Sequence, residues 1–335
     1  MKKVLCFGEI LLRLSPAANG QWLEQNQMPV FMGGAELNAA TALAVWGHPV
    51  KYFTAMPDNA LSKDIANYLA KKNIDTSAVH YSGNRIGLYY LQQGTDMKNA
   101  GTVFDRAGSS FATLGTGLVN WDEVLADVQW LHFSAIAPAV SASAAELCLE
   151  VLKAAQAKKI PVSVDLNYRA LLWKYGKNPQ EVMKTLLPYC NLVMGNIWAA
   201  NTLLGIPLHP DLIDAEAYAE HAAKTAEAIM QQYPSCITVA NTFRFDKDAG
   251  IRYFAVLNKG MVQTVSKTFL TDTVIDKVGS GDCFMAGLIH SALRNYTDEE
   301  TINYAAAAAF GKLQEKGDTT SNSVTTVKNI IAQNG

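Results

Sequence analysis

The feature that most constrains this chain is an alternation. Short apolar runs, each closed by glycine or a small polar residue, are interleaved with stretches of helical period. Residues 4–7 end at Gly8, residues 161–164 end at Asp165, and residues 191–194 end at Gly195-Asn196. Residues 50–55, 128–133 and 236–240 also read as strands. Helical patterns cover 61–72, 141–158, 214–232, 282–294, 298–316 and 324–332; in 141–158, Leu147, Val151, Leu152 and Ala155 share one face. Nearly continuous apolar strands between helices imply a parallel sheet covered on both faces. Ligands bind such sheets beyond the carboxyl ends of the strands. Asp165-Leu166-Asn167, Gly195-Asn196 and the loop before Asp282 are therefore expected along one edge.

Two segments break the alternation. Residues 11–32 and 84–112 hold short strand-like runs at 12–14, 29–32, 85–92 and 101–106. Four such runs suit a small separate sheet. Inserted at the ligand edge, that sheet would act as a lid that excludes water on closure. The α/β body would then comprise 1–10, 33–83 and 113–335, with 11–32 and 84–112 inserted in it.

Several function classes are excluded. Lys and Arg number 28 against 30 Asp and Glu, a net charge of −2. That balance gives no general pull toward nucleic acid. No apolar run approaches the ~20 residues of a membrane span, and the start reads as a first strand, not a signal peptide. Cys6, Cys148, Cys190, Cys236 and Cys283 are scattered, with no CxxC, which suits reduced thiols in a cytoplasm. The six histidines show no metal-binding spacing. Gly8 leads directly into Glu9-Ile10, so the dinucleotide fingerprint is missing, and no GxxxxGK[ST] occurs.

The most informative stretch is Asp276-Lys277-Val278-Gly279-Ser280-Gly281-Asp282-Cys283-Phe284-Met285-Ala286-Gly287. Gly279 and Gly281 let the backbone curl so that successive N–H groups converge, and a helix start adds free N–H groups and partial positive charge. Gly279, Ser280 and Gly281 can thus form an anion hole for a phosphoryl group. A carboxylate would be repelled from a resting phosphate site. Asp282 makes sense there as the base that takes a proton from an attacking hydroxyl. The competing reading is a tight turn with Asp282 as helix N-cap. Cys283 next door reads as a small residue packed under the loop, and the alanine run 305–309 as helix–sheet packing.

A second constellation bears on the choice. In Gly33-Gly34-Ala35-Glu36-Leu37-Asn38-Ala39-Ala40, a diglycine precedes a helix start. The glycines let a small ligand touch backbone, and Asn38 offers a donor and an acceptor to vicinal hydroxyls.

With both segments in view, the chain resembles the ribokinase-like, or PfkB, family of sugar kinases. The resemblance rests on GGAELNAATALAVWG near the start and DKVGSGDCFMAG near the end, and it extends over nearly the whole chain. It implies a three-layer α/β/α fold with a mainly parallel sheet and a small β lid. It implies ATP and Mg²⁺ as cofactors, with no side chain holding the metal directly. It makes Asp282 the catalytic base and Gly279, Ser280 and Gly281 the anion hole. Gly33, Gly34 and Asn38 would hold the phosphoryl acceptor, and Asn167 and Asn196 would lie on the nucleotide and Mg²⁺ side.

Within the family, the chain looks most like 2-keto-3-deoxygluconate kinases. Glu36 in GGAE, Arg85-Ile86-Gly87-Leu88-Tyr89, Phe104-Asp105-Arg106 and Asp165-Leu166-Asn167-Tyr168-Arg169 with Leu172-Trp173 carry that likeness. An acidic sugar needs a cation at its far end, which Arg106 or Arg169 would supply with bidentate geometry; Tyr89 would stack on or hydrogen-bond to the sugar. For each arginine, an ion pair within the protein is the alternative. The expected ligands are a sugar or sugar acid and ATP, and the expected assembly is a homodimer through the lid.

Three positions depart from the family pattern. Ala199 stands where an NxxE element starting at Asn196 has its glutamate. The segment 237–244 lacks a loop glycine. Phe104 replaces a lid tyrosine. These departures keep two alternatives open: a fructokinase or other PfkB sugar kinase, and a sugar-sensing protein that kept the fold with weakened chemistry.

Overall fold

The computed structural model describes residues 2–17, 22–23, 26–92, 101–208, 215–247 and 250–334. Parts of both inserted segments (18–21, 24–25 and 93–100) and residue 214, the expected start of a helix, lie outside them. The main sheet is ten-stranded, in the order Val262–Val265, Gly250–Lys259, Thr238–Lys247, Leu192–Met194, Val162–Asp165, Val128–Ser134, Lys3–Phe7, Val50–Phe53, Ile74–Asp75, with Phe269–Thr271 also paired to Gly250–Lys259. Every neighbouring pair from Ile74–Asp75 to Thr238–Lys247 is parallel.

Strand period explains how both faces are covered. Val4 and Cys6 pack in one buried cluster while Leu5 and Phe7 pack in another. The Leu5 side is closed by the helices Ala142–Ala157, Pro179–Leu186 and Ile197–Leu204. The Val4 side is closed by Ala35–Val45, Ala60–Lys71, Ser280–Leu293 and Asp298–Lys312. The alanine run 305–309 is fully buried, and its helix packs both on the sheet and on the helix Ser280–Leu293. A Cβ on Gly287 would lie 2.6 Å from Ala305 Cα, so the last two long helices touch backbone to backbone.

The carboxyl end of the sheet departs from the expected pattern. The run at 236–240 extends to Lys247, because residues 241–247 pair antiparallel with Gly250–Lys259. The strands Gly250–Lys259, Val262–Val265 and Phe269–Thr271 were not visible as a parallel-sheet pattern, since they form an antiparallel ribbon. Phe269–Thr271 runs antiparallel to Gly250–Lys259, so it points the same way as the parallel strands. The loop that follows it therefore still reaches the ligand edge.

The remaining strands form a separate four-stranded sheet, ordered Val30–Gly33, Leu11–Leu14, Gly87–Tyr90, Val103–Asp105. Leu11–Leu14 and Gly87–Tyr90 run parallel, and the outer pairs are antiparallel.

Candidate active site

At the ligand edge the strand ends share one register row: Ser134 opposite Asp165, Asp165 opposite Met194, Met194 opposite Ala240. A cavity of about 430 Å³ opens there. The lid contributes Leu11, Tyr89, Phe104 and Arg106 to its wall, the strand ends contribute Glu9, Asp165 and Met194, and two helix starts contribute Gly34, Glu36, Asn38, Gly279, Ser280, Gly281 and Asp282. Asn167, Arg169, Asn196, Arg244 and Lys277 also line it. One expected residue is elsewhere. Gly33 does not line the cavity; a Cβ there would meet the Asp318 carboxylate at 2.7 Å.

The glycines at the second helix start are locally required. Gly279 is the N-cap of Ser280–Leu293 with φ +81°, a left-handed turn that costs glycine nothing. The N-cap reading of Asp282 is therefore corrected: Asp282 lies inside the first turn and reaches the cavity wall. Cys283 N–H is the first in the helix to bond back, to the Gly279 carbonyl at 2.9 Å. The N–H groups of Ser280, Gly281 and Asp282 precede it and have no intrahelical acceptor. A Cβ on Gly281 would meet nothing nearer than Met194 Cε at 3.8 Å, so this backbone is open. The Ser280 hydroxyl points away and donates to Ala309 O at 2.9 Å. The Cys283 thiol is buried, donates to Ala308 O at 3.3 Å and is pushed up by burial, so it is packing.

Asp282 is buried, and Asn38 Nδ2 donates to its Oδ2 at 2.7 Å. Burial pushes the carboxyl up to about 7; the Asn38 bond opposes the shift and Glu36 adds to it. A base of that basicity is poised for proton transfer near neutrality. Asn38 therefore spends a donor on Asp282, and its Oδ1 is buried without a partner. Glu36 is held by Ser134, whose N–H and hydroxyl donate to Oε1 at 2.9 and 2.6 Å. Gly8 makes that seat possible, since a Cβ there would overlap Glu36 Oε2 at 2.1 Å. Asp165 is raised by burial and then by the charge of Asp282.

The cations divide into two kinds. Arg106 lines the cavity, but its Nε and Nη2 both lie 2.6 Å from Glu9 Oε2, and Ser109 donates to the other Glu9 oxygen. Its charge is largely answered within the protein. Arg85 is spent on Asp105, at 2.8 Å, and is not on the cavity wall. Arg169 lines the cavity, donates to Tyr168 O at 3.1 Å and lowers the carboxyls of Asp165 and Asp282. The Tyr89 hydroxyl donates to Asp318, so its ring, not its hydroxyl, is left to the ligand. Asn196 is the N-cap of Ile197–Leu204, its side-chain oxygen accepting from Ala199 N at 2.8 Å.

Sequence reasoning placed Asp165 on the ligand edge and Asp276 in the glycine-rich stretch but assigned neither a role, and it missed Glu9, Arg13, Lys312 and Asp318 as parts of this region. Asp165 carried a signal, a charged residue closing an apolar strand. Asp318 carried none, lying in a polar loop far from either motif. Among the described residues no cluster of three metal-ligating side chains occurs, and no helix is long and apolar enough to cross a membrane.

Residues 1–325 match the pfkB family carbohydrate kinase profile. A 2-dehydro-3-deoxygalactonokinase from Haloferax volcanii is 23% identical over 322 residues, 94% of this chain and 92% of that protein. The crystal structure of 2-dehydro-3-deoxygluconokinase from Thermotoga maritima superposes with a TM-score of 0.90 at 31% identity, covering 99% of this chain and all of that one. A fructokinase from Xylella fastidiosa with bound ATP shares the fold, with a TM-score of 0.77 at 20% identity over 99% of both chains. Two helix starts facing each other across one strand-end cavity, under a β lid, and a profile match over nearly the whole length lead to one conclusion: this chain belongs to the PfkB family of carbohydrate kinases, phosphotransferases with an alcohol group as acceptor.

Proposed function

We propose that the chain transfers the γ-phosphate of ATP to the 6-hydroxyl of 2-keto-3-deoxygluconate. The observation that carries this reading is Asp282, a buried carboxylate of raised basicity at the mouth of an N–H-rich helix start. The acceptor hydroxyl would lie beside Asp282, which takes its proton as the oxygen bonds to phosphorus. The bond from that phosphorus to the ADP oxygen breaks, and ADP leaves with the electron pair. The N–H groups at Ser280, Gly281 and Asp282 offset the charge on the moving group. Asn38 holds the Asp282 carboxylate, and its unpaired Oδ1 would accept from a sugar hydroxyl. The lid residues Tyr89 and Phe104 would cover the sugar, and Arg169 would meet its carboxylate.

Mg²⁺ fits the residues present. Asp165 and Asp282 line one cavity, where the charge of Asp282 raises Asp165, and Asn167 adds a side-chain oxygen. Such a cation takes one or two carboxylates together with phosphate oxygens and water. When bound, it would neutralise phosphate charge. With Ala199 in place of a glutamate, Asp165 is the carboxylate we assign to that cation.

One observation favours a second reading. Glu9 answers the charge of Arg106, so a neutral ketose such as fructose meets no excess cation on the lid side. A sugar-sensing role with weakened chemistry rests on Ala199. Pairing between subunits through the lid would use its outer strands, where Val30 and Val103 are exposed; a cytoplasmic setting agrees with five free, buried cysteines.

ATP consumption should be measured over 2-keto-3-deoxygluconate, 2-keto-3-deoxygalactonate, fructose and ribose. The highest kcat/KM is expected for 2-keto-3-deoxygluconate, with the 6-phosphate seen by phosphorus NMR. A higher value for fructose would move the assignment to a fructokinase. Sugar binding without turnover would leave the sensor.

A further inference from the structure

Lysine is almost never fully buried, yet Lys312 is 0% exposed. It ends the helix Asp298–Lys312 and packs behind the glycine that opens the anion hole. A Cβ on Gly279 would meet Lys312 Cε at 3.4 Å and the Asp318 carbonyl oxygen at 1.9 Å. The ammonium donates to the Glu315 carbonyl at 3.0 Å. Burial lowers the basicity of the ammonium, and the carboxylates of Asp276, Glu315 and Asp318 oppose that shift and favour its charged form.

Those carboxylates have other work. Asp276 accepts Val278 N–H at 3.0 Å, Gly317 N–H at 3.1 Å and Arg13 Nη2 at 2.9 Å. Asp318 accepts from Tyr89 and pairs with Arg13 Nε at 3.0 Å. Glu315 accepts from Ser321 N–H at 2.7 Å and Asn322 Nδ2 at 3.0 Å. The loop is thus tied together without Lys312. Simple filling of the space would be served by methionine, which carries no desolvation cost. What lysine adds is a fixed positive charge directly under the hole, at the helix end where a cation is favoured.

We infer that Lys312 is a positioning residue for phosphoryl transfer: a built-in cation beneath the Gly279 turn that holds the hole's N–H groups in place and sustains positive potential toward the γ-phosphate. It touches neither substrate. The inference rests on the kinase reading above, and the test separates the two.

Calorimetry with ADP and with AMP-PNP gives the preference for a γ-phosphate as a ratio of two Kd values. In Lys312→Met this preference is expected to fall ~tenfold, the scale of a lost charge-assisted contact, with sugar affinity within ~threefold of wild type. In Lys312→Ala, ammonium ions should restore part of kcat, whereas tetramethylammonium at equal ionic strength should not. An unchanged γ-phosphate preference, or equal weakening of ADP, AMP-PNP and sugar, would overturn the inference and leave Lys312 as packing. If Lys312→Met does not fold, Lys312→Ala prepared in ammonium chloride takes its place. A γ-phosphate preference that depends on ammonium supports the inference, and indifference to it overturns the inference. If wild type turns over no sugar, the kinase reading fails, and the nucleotide ratio still decides the role of Lys312.

Discussion

Asn38 and Asp282 stand on the first turns of two different helices, and the Asn38 amide donates to the Asp282 carboxylate at 2.7 Å across a buried gap. The contact joins the diglycine segment near the start of the chain to the GSGD segment near its end. It orients the Asp282 carboxylate and restrains its basicity.

Replacing Asp282 by Asn removes the proposed proton acceptor and little volume. Turnover should fall by roughly 10²–10⁴, the range for loss of a general base. Sugar affinity by calorimetry should stay within a few-fold. Near-normal turnover would refute the assigned role.

The basicity of Asp282 predicts a pH profile. Burial raises its pKa to about 7, and in the proposed role it works deprotonated. The kcat/KM should therefore rise with pH through ~7 and level above it. The Asn38 bond lowers that pKa, so Asn38→Ala should move the rising limb to higher pH. A limb that stays in place would break the link between the two residues.

Arg169→Ala tests recognition of the acid. Its loss should reduce kcat/KM for 2-keto-3-deoxygluconate at least ~tenfold more than for fructose, since a charge-assisted bond is at stake only in the first. Equal losses would assign Arg169 to general support of Asp165 and Asp282.

Three buried histidines set a pH dependence of stability. Burial lowers His48 and His132 to about 4 and His290 to about 3, and His48 Nε2 lies 2.8 Å from His290 Nδ1. Below the unfolded value of 6.5 the unfolded chain binds protons that the folded chain refuses. Each histidine therefore costs stability as pH falls from 6.5 toward about 4. Raised carboxyls such as Asp318, at about 6, act in the opposite sense, so a variant comparison isolates the histidines. Between pH 7.5 and 5, His290→Phe should lose less stability in urea than wild type, by on the order of 2 kcal/mol. Identical pH slopes would contradict the assignment.

Gly287→Ala probes the helix pair at the back of the site. The new methyl would sit 2.6 Å from Ala305 Cα and 3.1 Å from Ala305 Cβ. Neither backbone can yield cheaply, so a loss of ~1–3 kcal/mol is expected in denaturant unfolding. An unchanged midpoint would show that the two helices can part without cost.

Much of this arrangement was legible in one dimension because its causes are local. Strand runs ending in Gly8, Asp165 and Gly195 implied a parallel sheet and its ligand edge, and the lid strands followed from their alternation. The Gly279 turn is also partly local, since a left-handed N-cap favours glycine. The antiparallel ribbon from Gly250 to Thr271 was hidden, because which strands pair is a question of neighbours in space.

From the order of residues alone came the layered fold, the sugar-kinase family and the two glycine-bounded helix starts. Folding decided who answers each charge. Glu9 takes up Arg106, Asp318 takes up Tyr89 and Arg13, Asn38 turns to Asp282, and Lys312 slides under Gly279. A charge in a buried, low-dielectric place is governed by distances of a few ångströms, and those distances arise only when segments distant in the sequence are packed together.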